Sequence, residues 1–141
     1  MNAEAARQRL SEARVARLAT VTARGTPHLV PVVFALAGDT VYFAVDAKPK
    51  RTSDLQRLRN IAAHPAVSLL ADHYEEDWTR LWWVRIDGTA RVTEDSEQVR
   101  HALDLLVARY PQYAHSVPPG PVVAITIDRI TGWAASDNPG C

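Results

Sequence analysis

From residue 15 onward, apolar residues return at every second position in short segments separated by turn-forming residues, and this alternation confines most of the chain to antiparallel β structure. Val15, Arg17, Ala19 and Val21 fall on one side of a first strand, and Ala16, Leu18, Thr20 and Thr22 on the other. Ala23-Arg24-Gly25-Thr26 reads as the turn that follows. Residues 28–36 are almost continuously apolar, and Ala37-Gly38-Asp39 turns the chain into residues 40–45, so these two segments are expected as a hairpin buried on both faces. Pro31 removes one ladder donor from it. A short strand is expected at 66–71, a long one at 81–93 with a bulge or bend at Gly88, and one or two final strands over 122–127 and 130–134. No βα alternation recurs, which excludes the parallel architectures. The expected fold is mainly β, of the α+β class: a small antiparallel barrel of six to seven strands with helices packed outside.

Three segments break the alternation with helical spacing. Residues 3–14 form a short helix capped by Asn2. Ser53-Asp54-Leu55-Gln56 has the form of a capping box and opens a helix over 53–63, which His64-Pro65 ends. Asp95 opens the clearest helix, through about Tyr110, with Val99, Leu103, Leu106, Val107 and Tyr110 on one face. Residues 111–121 hold four prolines and one glycine and read as a rigid loop, and the chain after Ala135 reads as a frayed tail.

Composition narrows the function classes. With 141 residues and 47% hydrophobic side chains, the chain reads as one domain over 1–141, its core spanning about 8–135. Sixteen Lys+Arg balance 16 Asp+Glu, which lacks the basic footprint of a nucleic-acid binder. The single cysteine, Cys141, permits no internal disulfide, which fits a reducing cytoplasm. Apolar runs such as 29–37 are too short to cross a bilayer, and residues 1–10, with Glu4, Arg7 and Arg9, lack the pattern of a secretory signal.

The segment most suited to chemistry is Asp46-Ala47-Lys48-Pro49-Lys50-Arg51-Thr52, where three cations and a hydroxyl lead into a helix N-terminus. Free backbone N–H groups and the positive helix end attract phosphate or carboxylate, and an anion there would relieve the conflict between the cations and the dipole. Arg57, one turn on, can reach the same side. The same residues also suit a solvated basic loop with a routine cap. Asp72-His73-Tyr74-Glu75-Glu76-Asp77-Trp78 offers carboxylates and an imidazole, but no spacing matches a metal motif, so a solvated loop is expected and no metal is assigned. Trp78, Trp82 and Trp83 cluster in sequence; the last two must point to opposite faces of a strand, and an outward tryptophan implies a dimer interface, a planar ligand, or core and rim packing. No hydrolase, zincin, P-loop or dinucleotide-binding motif occurs, and no acid–base residue stands out as catalytic.

The order and spacing of R-L-A-T-V-T-A-R-G-T-P-H-L-V-P-V-V-F at 17–34, V-Y-F-A-V-D at 41–46, K-P-K-R-T-x-x-L-Q-R-L-R-N-I-A-A-H-P-A-V-S-L-L at 48–70 and W-W-V-R-I-D-G-T-A-R-V at 82–92 resemble the pyridoxamine-phosphate-oxidase-like split-barrel superfamily, in particular its actinobacterial branch of deazaflavin-dependent oxidoreductases. The resemblance implies a homodimer of split barrels with two cofactor sites at the subunit interface. It places the ring of a deazaflavin (coenzyme F-420), or alternatively FMN, against Pro31, Val32 and Val33. The phosphate would lie on Lys48, Lys50, Arg51 and Thr52, with Arg57 where the family often has a lysine, and Trp78 or Trp82 would come from the partner. It also implies hydride transfer to a small conjugated acceptor, with a non-catalytic flavin or haem module as the other reading. The C-terminal Trp133-Ala134-Ala135-Ser136-Asp137-Asn138 lacks the arginine-rich closing motif of true pyridoxamine-phosphate oxidases, which argues against vitamin B6 oxidation.

Overall fold

The alternating segments become one seven-stranded antiparallel sheet in a computed structural model that describes residues 1–45 and 51–137, side chains excepted at 51–55. After α1 (Ala3–Glu12), β1 (Ala16–Val21) and β2 (Pro27–Val32) form a hairpin; β3 (Ala35–Ala37) and β4 (Thr40–Ala44) form a second. Gly25 and Gly38 turn these hairpins at φ of 86° and 59°, where side chains with a Cβ are disfavoured. α2 (Arg51–Ala63) leads to β5 (Ala66–His73), a 3₁₀ turn at Trp78–Arg80 and β6 (Trp82–Thr93). α3 (Ser96–Arg109) and α4 (Pro111–His115) precede β7 (Val122–Ala134).

The strand order is β2-β1-β5-β6-β7-β4-β3. Its two edges are consecutive in sequence, separated by Val33 and Phe34 alone, so the sheet must curl until they meet. The product is a split barrel with helices outside, the expected fold. β6 and β7 pair along their whole lengths, with a register shift between Asp87 and Gly88 that bends the pair. A Cβ at Gly88 would lie 2.6 Å from the Thr126 carbonyl oxygen and 2.7 Å from Ile125 Cγ2, so only glycine permits this approach.

The interior is filled by the inward members of each alternation, among them Leu18, Val41, Phe43, Leu69, Val84, Ile86, Val123 and Ile125, closed by Ala6 and Leu10 of α1 and Ile61 of α2. A second cluster lies outside the barrel wall. Tyr42 and Ala44 of β4 and Val122 and Ala124 of β7 pack beneath Ala102 and Leu106 of α3 and Tyr110, the residue that caps its C-terminus. Thus β4 and the opening stretch of β7, residues 122–125, are apolar on both faces because both faces are covered.

Several expectations are corrected. The apolar run at 28–36 is two strands rather than one: β2 pairs with β1, β3 with β4, and Leu29 on β2 is 67% exposed, so that run is not a hairpin arm buried on both faces. Pro31 sits on an edge strand, where its missing donor costs little. α2 begins at Arg51, so Ser53 lies within the helix and is not its cap. The stretch 111–121 is not all loop, because Pro111 opens α4 from the first helical position, which tolerates its missing N–H. β5 runs on to His73, and residues 135–137 form a 3₁₀ turn tied down by the Met1 ammonium, 3.1 Å from Asp137; of the one or two final strands expected, there is one. The Asn2 cap stands as expected, its Oδ1 accepting from the Ala5 N–H at 2.8 Å.

The break between β2 and β3 is held from α3. The Phe34 N–H donates to the Tyr110 hydroxyl at 3.1 Å, and the same hydroxyl lies 2.8 Å from the Phe34 carbonyl oxygen and 3.1 Å from that of Arg14. Arg109 donates to the carbonyls of Phe34, at 3.2 Å, and of Ala13. Main-chain groups that leave the ladder at Phe34 are therefore satisfied by side chains. Burial holds the Arg109 guanidinium below its ordinary pKa, an effect that the neighbouring Tyr110 opposes and Arg14 adds to.

Candidate functional site

Where β2 gives way to β3, the barrel wall opens into a slot of about 310 Å³. Pro31, Val32 and Val33 form one side, Phe43 and Ala44 of β4 another, and Val15, Arg57 and Tyr113 complete it. Each reaches the slot for a local reason. Val33 belongs to neither strand ladder, and β2 is a sheet edge, so main-chain groups on the outer side of Pro31–Val33 have no strand opposite them. Phe43 is an inward residue of β4 lying under the guanidinium of Arg57, 5.8 Å from ring centroid to Cζ.

Arg57 projects from a helix locked to the barrel: the Gln56 amide donates to Asn60 Oδ1 at 2.6 Å, and the Asn60 amide donates to Thr20 Oγ1 of β1 at 3.0 Å. Thr20 and Asn60 are each 1% exposed, so this chain of bonds fixes the face that α2 turns to the barrel. Ala44, at the slot, is the last residue of β4, and the chain then runs into the cationic segment that ends in the start of α2.

Four of the sequence-predicted residues, Pro31, Val32, Val33 and Arg57, are thereby brought to one cavity. Lys48 and Lys50 lie outside the described residues; Arg51 and Thr52 form the first turn of α2, with their side chains outside the description. Trp78 and Trp82 lie elsewhere on the protomer. Trp78 is 74% exposed on the 3₁₀ turn. The Trp82 indole is covered by the Arg9 guanidinium, 5.2 Å from its centroid, and stacks with His73 at 6.5 Å. Trp83 points the other way, onto the outer sheet face, as adjacent strand residues must. The acidic run is held by local bonds: Glu75 pairs with His73 and Arg80, and Asp77 accepts from the Thr79 hydroxyl and N–H, which lowers its carboxyl pKa.

Val15, Phe43, Ala44 and Tyr113 were missed by sequence reasoning. Tyr113 had a legible signal, because Pro111 followed by Gln112-Tyr113-Ala114-His115 is a helix start with proline at its first position. Val15 and Ala44 carry no signal of their own; only curvature brings them to the slot.

A second concavity, about 500 Å³, lies on the outer face of β2, β1, β5 and β6. Leu29 and Tyr74 are 67% and 66% exposed there, with Leu70 and Trp83 beside them. Arg17 lies 4.0 Å from Asp72, and Arg85 Nε 3.4 Å from Asp87 without forming a hydrogen bond.

The same architecture recurs in solved structures. An FAD-binding protein from Mesorhizobium loti superposes with a TM-score of 0.71 at 22% identity, covering 94% of each chain. A conserved hypothetical protein from Mycobacterium tuberculosis gives 0.77 at 20% identity, over 96% of this chain and 86% of its own. The heme storage protein HutZ from Vibrio cholerae gives 0.70 at 17%, over 93% and 90%. At these identities the likeness is one of fold. No curated protein matches the chain. The model of the pyridoxamine 5'-phosphate oxidase family, however, matches residues 3–134, nearly the whole barrel with its helices, and the chain belongs to that family.

Proposed function

We propose that this chain is an oxidoreductase that binds the deazaflavin coenzyme F-420 in the slot beside β2 and passes hydride to a small conjugated acceptor. The observation that carries the reading is the convergence of Pro31, Val32, Val33 and Arg57 on one apolar cavity next to the entry of the cationic segment. A flavin-type group needs a flat apolar wall, main-chain donors and acceptors at the ring edge, and cations for its phosphate. The slot has the first in Val32, Val33 and Phe43, the second along the unpaired edge of β2, and Arg57 toward the third. When bound, the coenzyme supplies the two-electron hydride chemistry. The protein binds and orients: Val32 and Phe43 exclude water from the ring, and Arg57 with Lys48, Lys50, Arg51 and Thr52 holds the anionic tail. Three cations in one short segment suit the several negative charges of that tail better than a single phosphate requires.

The reading includes a homodimer through the outer face of β2, β1, β5 and β6. Leu29, Leu70, Tyr74 and Trp83 offer the apolar area, and Arg17 and Arg85 with Asp72 and Asp87 sum to zero charge, so two copies can meet without like-charge repulsion. Trp78, exposed on its turn, is the aromatic a partner's cofactor site can receive. Trp82, already covered by Arg9 and His73, is less free to do so.

A fluorescence titration with F-420 and with FMN at two salt concentrations tests the cofactor. Tight, salt-sensitive F-420 binding is expected, weakened about tenfold or more by Lys50→Ala with Arg51→Ala at an unchanged unfolding midpoint. Binding of neither coenzyme would refute the reading. Preference for FMN, visible as a yellow protein on purification, would favour the second reading, which the likeness to the FAD-binding protein of Mesorhizobium loti supports. Haem uptake without electron transfer would instead make the chain a haem-binding module, a reading that its likeness in fold to the heme storage protein HutZ supports.

A further inference from the structure

We propose that the groove between α1, the Trp78–Arg80 turn and the end of β7 is a second ligand site, for a small molecule that carries a carboxylate or phosphate on a flat apolar body. The groove encloses about 380 Å³, within the range of about 300–1,000 Å³ typical of small-molecule pockets. It shares no lining residue with the slot beside β2.

Its polar lining holds two guanidinium groups; the Thr79 hydroxyl proton and His73 Nε2 are already engaged by Asp77 and Glu75. Arg9 comes from α1, His73 from the end of β5, Thr79 and Arg80 from the turn, and Ser136 from the chain beyond β7, with Trp82 between them. Among the described residues no carboxylate lines it. Glu75 stands behind the lining, paired with His73 and 3.6 Å from Arg80 Nε, and so offsets one of the two guanidinium charges. The Arg9 charge has no carboxylate partner among the described residues. It rests over the Trp82 ring, Cζ 5.2 Å from the centroid, a contact that uses none of its five N–H groups as a hydrogen-bond donor to an oxygen. Leu81, Ala134 and the indole supply the apolar wall.

The walls are built rather than incidental. Asp77 accepts from the Thr79 N–H at 3.1 Å and from its hydroxyl at 2.6 Å, which fixes the turn that carries Arg80. The Ala135 N–H donates to the Leu81 carbonyl at 2.9 Å, and the Met1 ammonium lies 3.1 Å from Asp137, so both flanks of the groove are tied to the barrel. With Glu75 offsetting Arg80, the net charge that the groove presents is that of Arg9, and an anion is the ligand that meets it. An aryl phosphate or aryl carboxylate meets that charge and the indole wall together.

The test is a titration of the ¹⁵N-labelled full chain with phenyl phosphate, benzoate and benzyl alcohol, read at the indole N–H signals, that of Trp82 being the one lost in Trp82→Phe. Phenyl phosphate or benzoate is expected to shift the Trp82 signal saturably and less at high salt, and benzyl alcohol to leave it in place; the tighter anion identifies the head group. Arg9→Gln and Arg80→Gln should each weaken binding about tenfold, and both positions are exposed enough that the remaining indole signals should keep their dispersion. No shift with either anion, or an affinity unchanged from that of the parent chain in both variants, would overturn the proposal. No coenzyme enters this experiment, so its failure is separable from failure of the F-420 reading.

Discussion

The barrel wall has two outer faces built by the same alternation and finished differently. Over β4 and β7 the outward residues Tyr42, Ala44, Val122 and Ala124 are apolar and lie under α3, so that wall is core on both sides. Over β2, β1, β5 and β6 the outward residues mix Leu29, Leu70 and Trp83 with Arg17, Arg85, Asp72 and Asp87, and among the described residues no helix lines that face. The difference teaches that apolar residues on an outer wall have two meanings. Without charges they mark a face closed within the chain; interleaved with balanced charges, on the homodimer reading proposed above, they form the face that a second copy covers.

Substitutions on each face can break or sharpen this contrast. The largest effect is expected at Leu106, the fully buried residue by which α3 covers the wall, where Leu106→Ala should cost about 2–5 kcal/mol in urea unfolding. A loss below about 1 kcal/mol would mean that α3 is not the cover it resembles. Next is Tyr110→Phe, which keeps the ring but strips the hydroxyl from Phe34 and Arg14; about 1–3 kcal/mol is expected, together with weaker coenzyme binding because the β2–β3 break loses its clamp. The smallest effect on the fold belongs to Leu29→Asp on the open face. Unfolding of the protomer should change by no more than about 0.5 kcal/mol, while sedimentation should show the dimer shifted toward monomer. A large loss of protomer stability with unchanged association would erase the distinction between the two faces.

Much of the fold is legible in the chain because the signals are local. Asn2 caps α1, Gly25 and Gly38 turn the hairpins, Gly88 marks the bend of the longest pair, and Trp82 and Trp83 had to part to opposite faces. The failures share a cause. The run at 28–36 is apolar for two unrelated reasons, an edge strand followed by the first residues of a new one, and periodicity cannot see the change of partner between Val32 and Ala35. Ser53 has the form of a cap, yet the helix begins upstream of it, since a motif states what can cap and not where the helix starts. At the site, Pro31, Val32, Val33 and Arg57 were named from the chain, whereas Val15, Phe43, Ala44 and Tyr113 were not.

The sequence by itself determined the antiparallel class, the positions of most strands and helices, the balance of charge and the segment rich in cations, because each depends on neighbours a few residues away. Tertiary structure alone decided that the first and last strands of the sheet are consecutive in sequence, that closure at Val33 and Phe34 leaves a slot, and that Arg9, Arg80 and Ser136 share a groove. Those meetings depend on how far the sheet curls, and curl is a property of all seven strands together.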